Sequence, residues 1–226
     1  MFRVKHRVSV ILATIDEEYV FRQIRDIRRL FGKGTEIIVV DKSGDAYYRR
    51  LVRTGAKVIR QKSRGVDKAI MLGLKAARGD ILVHIDADGT HDASGMVKGV
   101  RMVESGKADF VLGNRMADLQ EGSMGGYLQF GNSVLNAIFN ALYGTRLHDV
   151  LVGLFVMRKE DFEAIKDIEP YGTGIAFFAA ELSKRGRRIG EVDIRYYPRT
   201  SGESKLAKSK FMWGLNTAYQ FLIHRF

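Results

Sequence analysis

The sequence predicts an α/β protein with a mostly parallel central sheet and helices on both faces. Three observations carry that expectation. Apolar runs rich in β-branched residues alternate with helical patterns through the first half of the chain. The run VSVILA is nearly continuous in apolar residues, as a strand covered on both faces should be. At 226 residues, with 46 % hydrophobic content and 2 prolines, the chain suits one globular domain. A domain of that size hides roughly 70 % of its unfolded surface.

Taken in order, strands are expected at about 8–13, 36–41, 56–60, 80–85 and 109–112. Helices fit between them at 16–31, 46–54, 66–78 and 93–105. In the first helix Val20, Ile24, Ile27 and Phe31 recur at spacings of three and four, one buried stripe. The glycine-rich EGSMGG, residues 121–126, breaks the rhythm and reads as a mobile loop. A long helix is expected over 127–143, with Leu128, Leu135, Ile138 and Leu142 on its apolar side. Asn132, Asn136 and Asn140 form a polar line on that helix. A strand at 151–157, a helix near 175–185, a strand at 189–194 and a final helix over 208–224 complete the chain. The domain is expected to span 1–206, with 207–226 as an amphipathic helix of the same domain or of a membrane interface.

Composition narrows the function. There are 0 cysteines, which excludes disulfides and thiolate metal sites and fits a reducing compartment. The N-terminus lacks a small-residue cleavage site, and its apolar run, Val8 to Leu12, is too short for a membrane span of ~20 residues. A cytoplasmic protein is therefore expected. The net charge of +11 suits nucleic acid, anionic lipid or phosphorylated small molecules. Nucleic acid is not the expected partner: the aromatics lie mostly at core spacings, and an acid cluster repels phosphate unless a metal is present.

That cluster is the sharpest feature. Ligands of open parallel sheets bind beyond the carboxyl ends of the strands. Asp16 and Glu17 follow the first expected strand, Asp41 ends the second, and Asp86 and Asp88 follow the fourth, in ILVHIDADGTHD. Like charges gathered at one edge need a cation among them. Mg²⁺ or Mn²⁺ on one or two carboxylates, completed by substrate phosphate oxygens, meets that need. Asp86 and Asp88 are thus the expected metal residues, and Asp92 the cap of the helix that follows. His84 reads as a core histidine, while His91 reads equally as a surface residue at a helix start or as a functional one. Arg64 and Lys68 flank a turn, where each either reaches a diphosphate or faces water.

The segments VSVILATIDEE, EIIVVDKSGD, AARGDILVHIDADGTHD, ADFVLGNRM, FGNSVLNAIFNALYGTRLHDVLVGLFVMRKEDF, RRIGEVDI and PRTSGESKL together resemble family 2 glycosyltransferases of the GT-A fold. The pattern is nearest to dolichyl-phosphate mannose synthases and related polyprenyl-phosphate sugar transferases. The likeness runs from about Val8 to Leu206.

It implies an inverting, metal-dependent transfer of a mannose- or glucose-type sugar from a GDP- or UDP-sugar donor to a polyprenyl (dolichyl) phosphate. Asp86, Asp88 and Thr90 would hold the metal. Ala13, Asp16, Glu17, Asp41, Lys68, Asp86, Arg199 and Lys205 would bind the nucleotide-sugar. Asp88, Asp149 and Arg115 are the catalytic candidates, with Asp149 for positioning or proton removal. By themselves Arg199 and Lys205 read as a solvated basic loop; within the motif, GESKL resembles a lid whose cations close over the diphosphate.

The departures are specific. Ala13 replaces a usual proline, Thr90 a frequent glutamine, and Lys42 a frequent second aspartate, which leaves the base open. The stretch MGGYLQFGN lacks the arginines that mannose synthases carry nearby, so Arg115 or Arg146 would have to meet an acceptor phosphate. In the last helix Phe211, Leu215, Tyr219, Leu222 and Phe226 recur at spacings of three or four, with Trp213 and lysines 205, 208 and 210 near its start. Such a helix lies flat on a membrane or packs on the core or a dimer interface; peripheral membrane association fits a lipid acceptor. The alternatives are a related transferase using a saccharide or other small acceptor, and an inactive scaffold that kept the fold.

Overall fold

The computed structural model describes residues 5–62, 65–199 and 210–225. Its elements are β1 (Val8–Thr14), α1 (Val20–Phe31), β2 (Glu36–Asp41), α2 (Asp45–Val52), β3 (Lys57–Arg60), α3 (Val66–Ala76), β4 (Ile81–Ile85), α4 (Ser94–Glu104), β5 (Phe110–Leu119), α5 (Gly126–Tyr143), β6 (Leu154–Arg158), α6 (Lys159–Glu163), α7 (Ala176–Lys184), β7 (Ile189–Tyr196) and α8 (Lys210–Ile223).

One seven-stranded sheet runs in the order β3-β2-β1-β4-β6-β5-β7. β1 pairs parallel with both β2 and β4, and β2 with β3. Only β6 runs against its neighbours, antiparallel to both β4 and β5. Every residue of β4 and nearly every residue of β1 and β2 is buried. Burial of consecutive residues means that both faces of the sheet are covered, which is why these strands lack a polar alternation. The stripe Val20, Ile24, Ile27 and Phe31 of α1 is buried as expected.

Three boundaries and one element differ for physical reasons. α1 begins at Val20, four residues later than expected, because Asp16 takes a left-handed turn at φ 50° that no helix accommodates. β5 continues to Leu119, because its second half pairs with β7. β6 starts at Leu154 rather than 151, since Asp149 to Gly153 form part of the site described below. The short α6 carries no apolar period and was not expected.

The helical asparagines hold a loop. Asn140 receives bonds from Leu147 N (2.8 Å) and Thr145 Oγ1 (2.7 Å) and donates to Leu147 O (2.8 Å). Asn136 accepts from Val150 N at 2.9 Å and donates to His148 O. The polar line therefore clamps residues 145–150.

α8 packs on α5 through Phe221, fully buried against Phe139 and Tyr143. Complete burial of a phenylalanine contributes about 1.5–3 kcal/mol, which anchors the helix. The stripe Leu215, Tyr219 and Leu222 faces outward, each more than half exposed. Neighbouring α5 also presents Tyr127 and Phe130, 64 % and 70 % exposed. No helix among the described residues is long and apolar enough to cross a membrane.

Candidate active site

β1, β2 and β4 run parallel, so their carboxyl ends deliver three acidic segments to one edge. The turn after β1 is tied to the end of β2. Asp16 N donates to Ser43 Oγ (2.7 Å), which donates to Asp41 Oδ1 (2.5 Å). Asp41 is fully buried, and its Oδ2 lies 3.6 Å from the Arg60 guanidinium. In this state Asp41 braces the Asp16 turn and does not face an open surface. Tyr47 locks the same turn by donating to Glu17 O at 2.6 Å and sitting 3.2 Å from Thr14 Oγ1. Burial above all pushes its phenol up to about 12. Ala13 is partly exposed beside this turn. Lys68 is exposed, and Arg64 and Lys205 lie outside the described residues.

Asp86 and Asp88 follow β4. The Asp86 side chain keeps 39 % exposure, and its backbone N–H donates to Gly153 O at 2.8 Å. Gly153 leaves room for that carboxylate: a Cβ there would lie 1.8 Å from Asp86 Oδ2. His84 is a core histidine, as expected, packed at a tilt on Phe155 and bonded through Nδ1 to Ile11 O at 3.2 Å. Its Nε2 stands 3.5 Å from Asp86 Oδ1. Burial works to raise the Asp86 pKa, but His84, His91 and Arg115 outweigh it and hold the carboxyl below its ordinary value.

Asp88 Oδ1 accepts from Thr90 N (3.1 Å) and Thr90 Oγ1 (2.7 Å). The turn needs glycine at position 89, where φ is 77° and a Cβ would press to 2.7 Å on the Tyr19 ring. Asp88 Oδ2 accepts from Arg199 Nη2 at 2.5 Å, while Arg199 Nη1 reaches Glu17 Oε2 at 3.0 Å. Asp92 accepts from Ser94 N at 2.9 Å, capping the start of α4 as expected.

His91 is not a surface residue. It is buried, set edge-on against the Tyr196 ring, and its ring nitrogens meet Thr90 Oγ1 (3.0 Å) and Gly153 N (3.2 Å). Burial first, and Arg115 with it, keep its pKa below the ordinary imidazole value despite nearby carboxylates. The imidazole is neutral near pH 7.

Of the two roles expected for Asp149, positioning or proton removal, its contacts suit the first. It is fully buried and gives both oxygens to Arg115: Oδ2 to N (3.0 Å) and Nε (2.6 Å), Oδ1 to Nη2 (2.8 Å). Both oxygens are engaged by one cation and the group is fully buried, so its geometry is that of a brace for Arg115. Burial opposes the Arg115 charge, but Asp149 outweighs it and raises the pKa further. Arg115 also bonds Leu151 O at 3.1 Å and lies 5.2 Å from the Tyr196 ring centroid. Glu191, which the sequence did not single out, holds the Asp149 backbone N at 2.9 Å and His148 Nδ1 at 2.8 Å.

The arrangement is an acid edge faced by two arginines, one buried and fixed, one bridging. Such a site binds an anion through a cation, which is the chemistry of a diphosphate. The donor set is oxygen only, and no group of three or more His, Asp or Glu among the described residues would enclose a metal. Magnesium and manganese fit that economy, because phosphate oxygens and water complete their shells.

A mostly parallel sheet with acids beyond its strand ends is the α/β arrangement whose ligands bind at that edge. The family model of glycosyl transferase family 2 matches residues 9–166, and the chain belongs to that family. Relatives include a low-salt glycan biosynthesis hexosyltransferase of Haloferax volcanii, 29 % identical over 91 % of this chain and 51 % of its own length. A dolichyl-phosphate hexose transferase of the same organism is 29 % identical over 88 % of this chain and 86 % of its own length. The dolichol-phosphate mannosyltransferase of Pyrococcus furiosus is 28 % identical over 96 % and 62 %. The chain thus spans about half the length of the first curated relatives it matches. Among solved structures, glucosyl-3-phosphoglycerate synthase of Mycobacterium tuberculosis superposes with a TM-score of 0.72 at 22 % identity, covering 98 % of this chain and 80 % of its own. That likeness confirms the GT-A fold.

Proposed function

We propose that this chain moves a hexose from a nucleotide-sugar to a polyprenyl phosphate, with inversion, at the cytoplasmic face of a membrane. The observation that carries the reading is Arg199 bridging Glu17 and Asp88 beside the exposed Asp86 carboxylate. Asp86 and Asp88 would hold Mg²⁺ or Mn²⁺, which when bound neutralises charge on the leaving diphosphate. Arg199 already occupies one Asp88 oxygen, so a metal and Arg199 compete for it. Release of Arg199 from Asp88 frees a guanidinium for phosphate, bidentate and always charged. Glu17 and Asp16 line the same edge for the nucleotide.

Arg115, fixed by Asp149, supplies a second positive charge that does not move. A phosphate monoester acceptor is already anionic near neutral pH, so the site has to position it and screen its charge. No general base is required for that acceptor, in keeping with Asp149 being committed to Arg115. The outward apolar residues of α5 and α8 support a lipid-borne acceptor and peripheral attachment. The dolichyl-phosphate transferases among the relatives support the same acceptor class.

A thermal-shift panel of GDP- and UDP-sugars, with and without Mg²⁺ or Mn²⁺, tests the donor. Saturation at 100 times Kd adds about 2.7 kcal/mol, a rise of roughly 5–10 °C in Tm for a chain of this size. One nucleotide should stabilise, and only with metal. Transfer to polyprenyl phosphate should then exceed transfer to 3-phosphoglycerate or free sugars. No response to any donor sinks the reading, and preferential transfer to a small acceptor sinks its lipid half.

A further inference from the structure

His91 joins groups distant in sequence, and its proton positions follow from its neighbours. Thr90 Oγ carries a single proton. It lies 2.7 Å from Asp88 Oδ1, which also accepts from Thr90 N while Oδ2 accepts from Arg199, so the proton points to Oδ1. The 3.0 Å contact between Thr90 Oγ1 and His91 Nδ1 then requires Nδ1–H to donate. Nε2 receives the Gly153 N–H at 3.2 Å and must be bare. One tautomer satisfies both ends. The ring is held against Tyr196, at 5.3 Å between centroids and through an isolated β-bridge.

The other end of the relay is equally placed. Gly153 accepts from Asp86 N through its carbonyl, at 2.8 Å, while its N–H meets His91. One residue at the start of β6 is thus tied to the backbone of the first acid and, through two side chains, to the carboxylate of the second.

We infer that His91, held as the Nδ1–H tautomer between Gly153 and Thr90, is a positioning residue that orients Asp88 toward its cation. This rests on Asp88 being a metal residue. Partners that orient metal-binding groups typically change metal affinity 10–100-fold when removed. The relay leaves Oδ2 of Asp88 as the oxygen to be exchanged, and Oδ1 as the oxygen held by protein.

The test is Mn²⁺ titration by electron paramagnetic resonance in the presence of GDP or UDP, with no sugar transfer involved. His91→Phe keeps ring size and loses both bonds; it should weaken Mn²⁺ binding about 10–100-fold. Thr90→Val should weaken it comparably, and the double variant no more than either single one, since they break the same chain. His91→Asn, which restores a donor near Nδ1, should recover part of the loss. Long-range ¹⁵N–¹H correlation in wild-type protein should show a protonated Nδ1 and a bare Nε2, and this holds if His91→Phe fails to fold. A folded His91→Phe with wild-type Mn²⁺ affinity, multiplying effects in the double variant, or an Nε2–H tautomer would each overturn the proposal. If wild-type protein binds no Mn²⁺ with either nucleotide, the metal site itself falls. Binding that these variants leave intact removes only the role of His91.

Discussion

Replacing Asp149 by alanine separates a brace from a proton acceptor. The carboxylate is fully buried and makes three bonds to Arg115, itself only 8 % exposed. Removing one partner of a buried pair leaves an uncompensated charge and typically costs about 3–5 kcal/mol. That is a large part of the ~5–15 kcal/mol that holds most domains together. In urea, with an m-value near the upper end of ~1–3 kcal/mol/M, the midpoint should fall by roughly 1–2 M. The double variant Arg115→Met, Asp149→Leu removes both charges and should cost clearly less than the sum of the single changes. Equilibrium urea unfolding of the wild type, Asp149→Ala, Arg115→Met, Asp149→Leu and the double variant reads all of these values. An Asp149→Ala loss below about 1 kcal/mol, or strict additivity in the double variant, would refute the brace.

Other outcomes follow from the same contacts. Asp88→Asn should abolish metal-dependent turnover while circular dichroism and Tm stay near wild type; unchanged turnover would remove Asp88 from the metal site. Tyr47 has its pKa raised from 10.0 to about 12, so the fold favours the neutral phenol. Its contribution is complete below pH ~10 and is lost as pH climbs toward 12, at most about 2–3 kcal/mol. Tyr47→Phe should flatten the stability loss over that window, at a cost of about 1 kcal/mol at pH 7. Alkaline unfolding curves of equal slope would contradict this. Phe130→Ser with Leu222→Ser should reduce co-sedimentation with anionic vesicles, about tenfold for each buried side chain withdrawn. Equal sedimentation would remove the membrane face.

Much of the fold was legible because its signals are local. The bounds of β2 were read to the residue, since EIIVVD is an apolar run closed by an acid after a glycine-threonine break. Asp86 and Asp88 stood out because strand-end acids are costly without a cation. Where segments were misread, distant contacts decided. The second half of β5 is a strand only because β7 lies beside it. The asparagines at 136 and 140 announced a polar face by their spacing, yet nothing local identified residues 145–150 as the loop they clamp. Glu191 gave no signal, because a glutamate in a half-exposed strand is ordinary until its backbone partners are seen.

By itself the sequence determined the sheet, the acid edge and the family, since apolar runs, acid placement and motif order are properties of short segments. The tertiary structure decided what each polar group is free to do. Asp149, a candidate for positioning or proton removal, has both of its oxygens on Arg115, which suits positioning. For His91, which read equally as a surface or a functional residue, the buried position was decided by Gly153, 62 residues away, which donates to it. Hydrogen-bonding capacity is finite, and only the assembled fold shows where it has been spent.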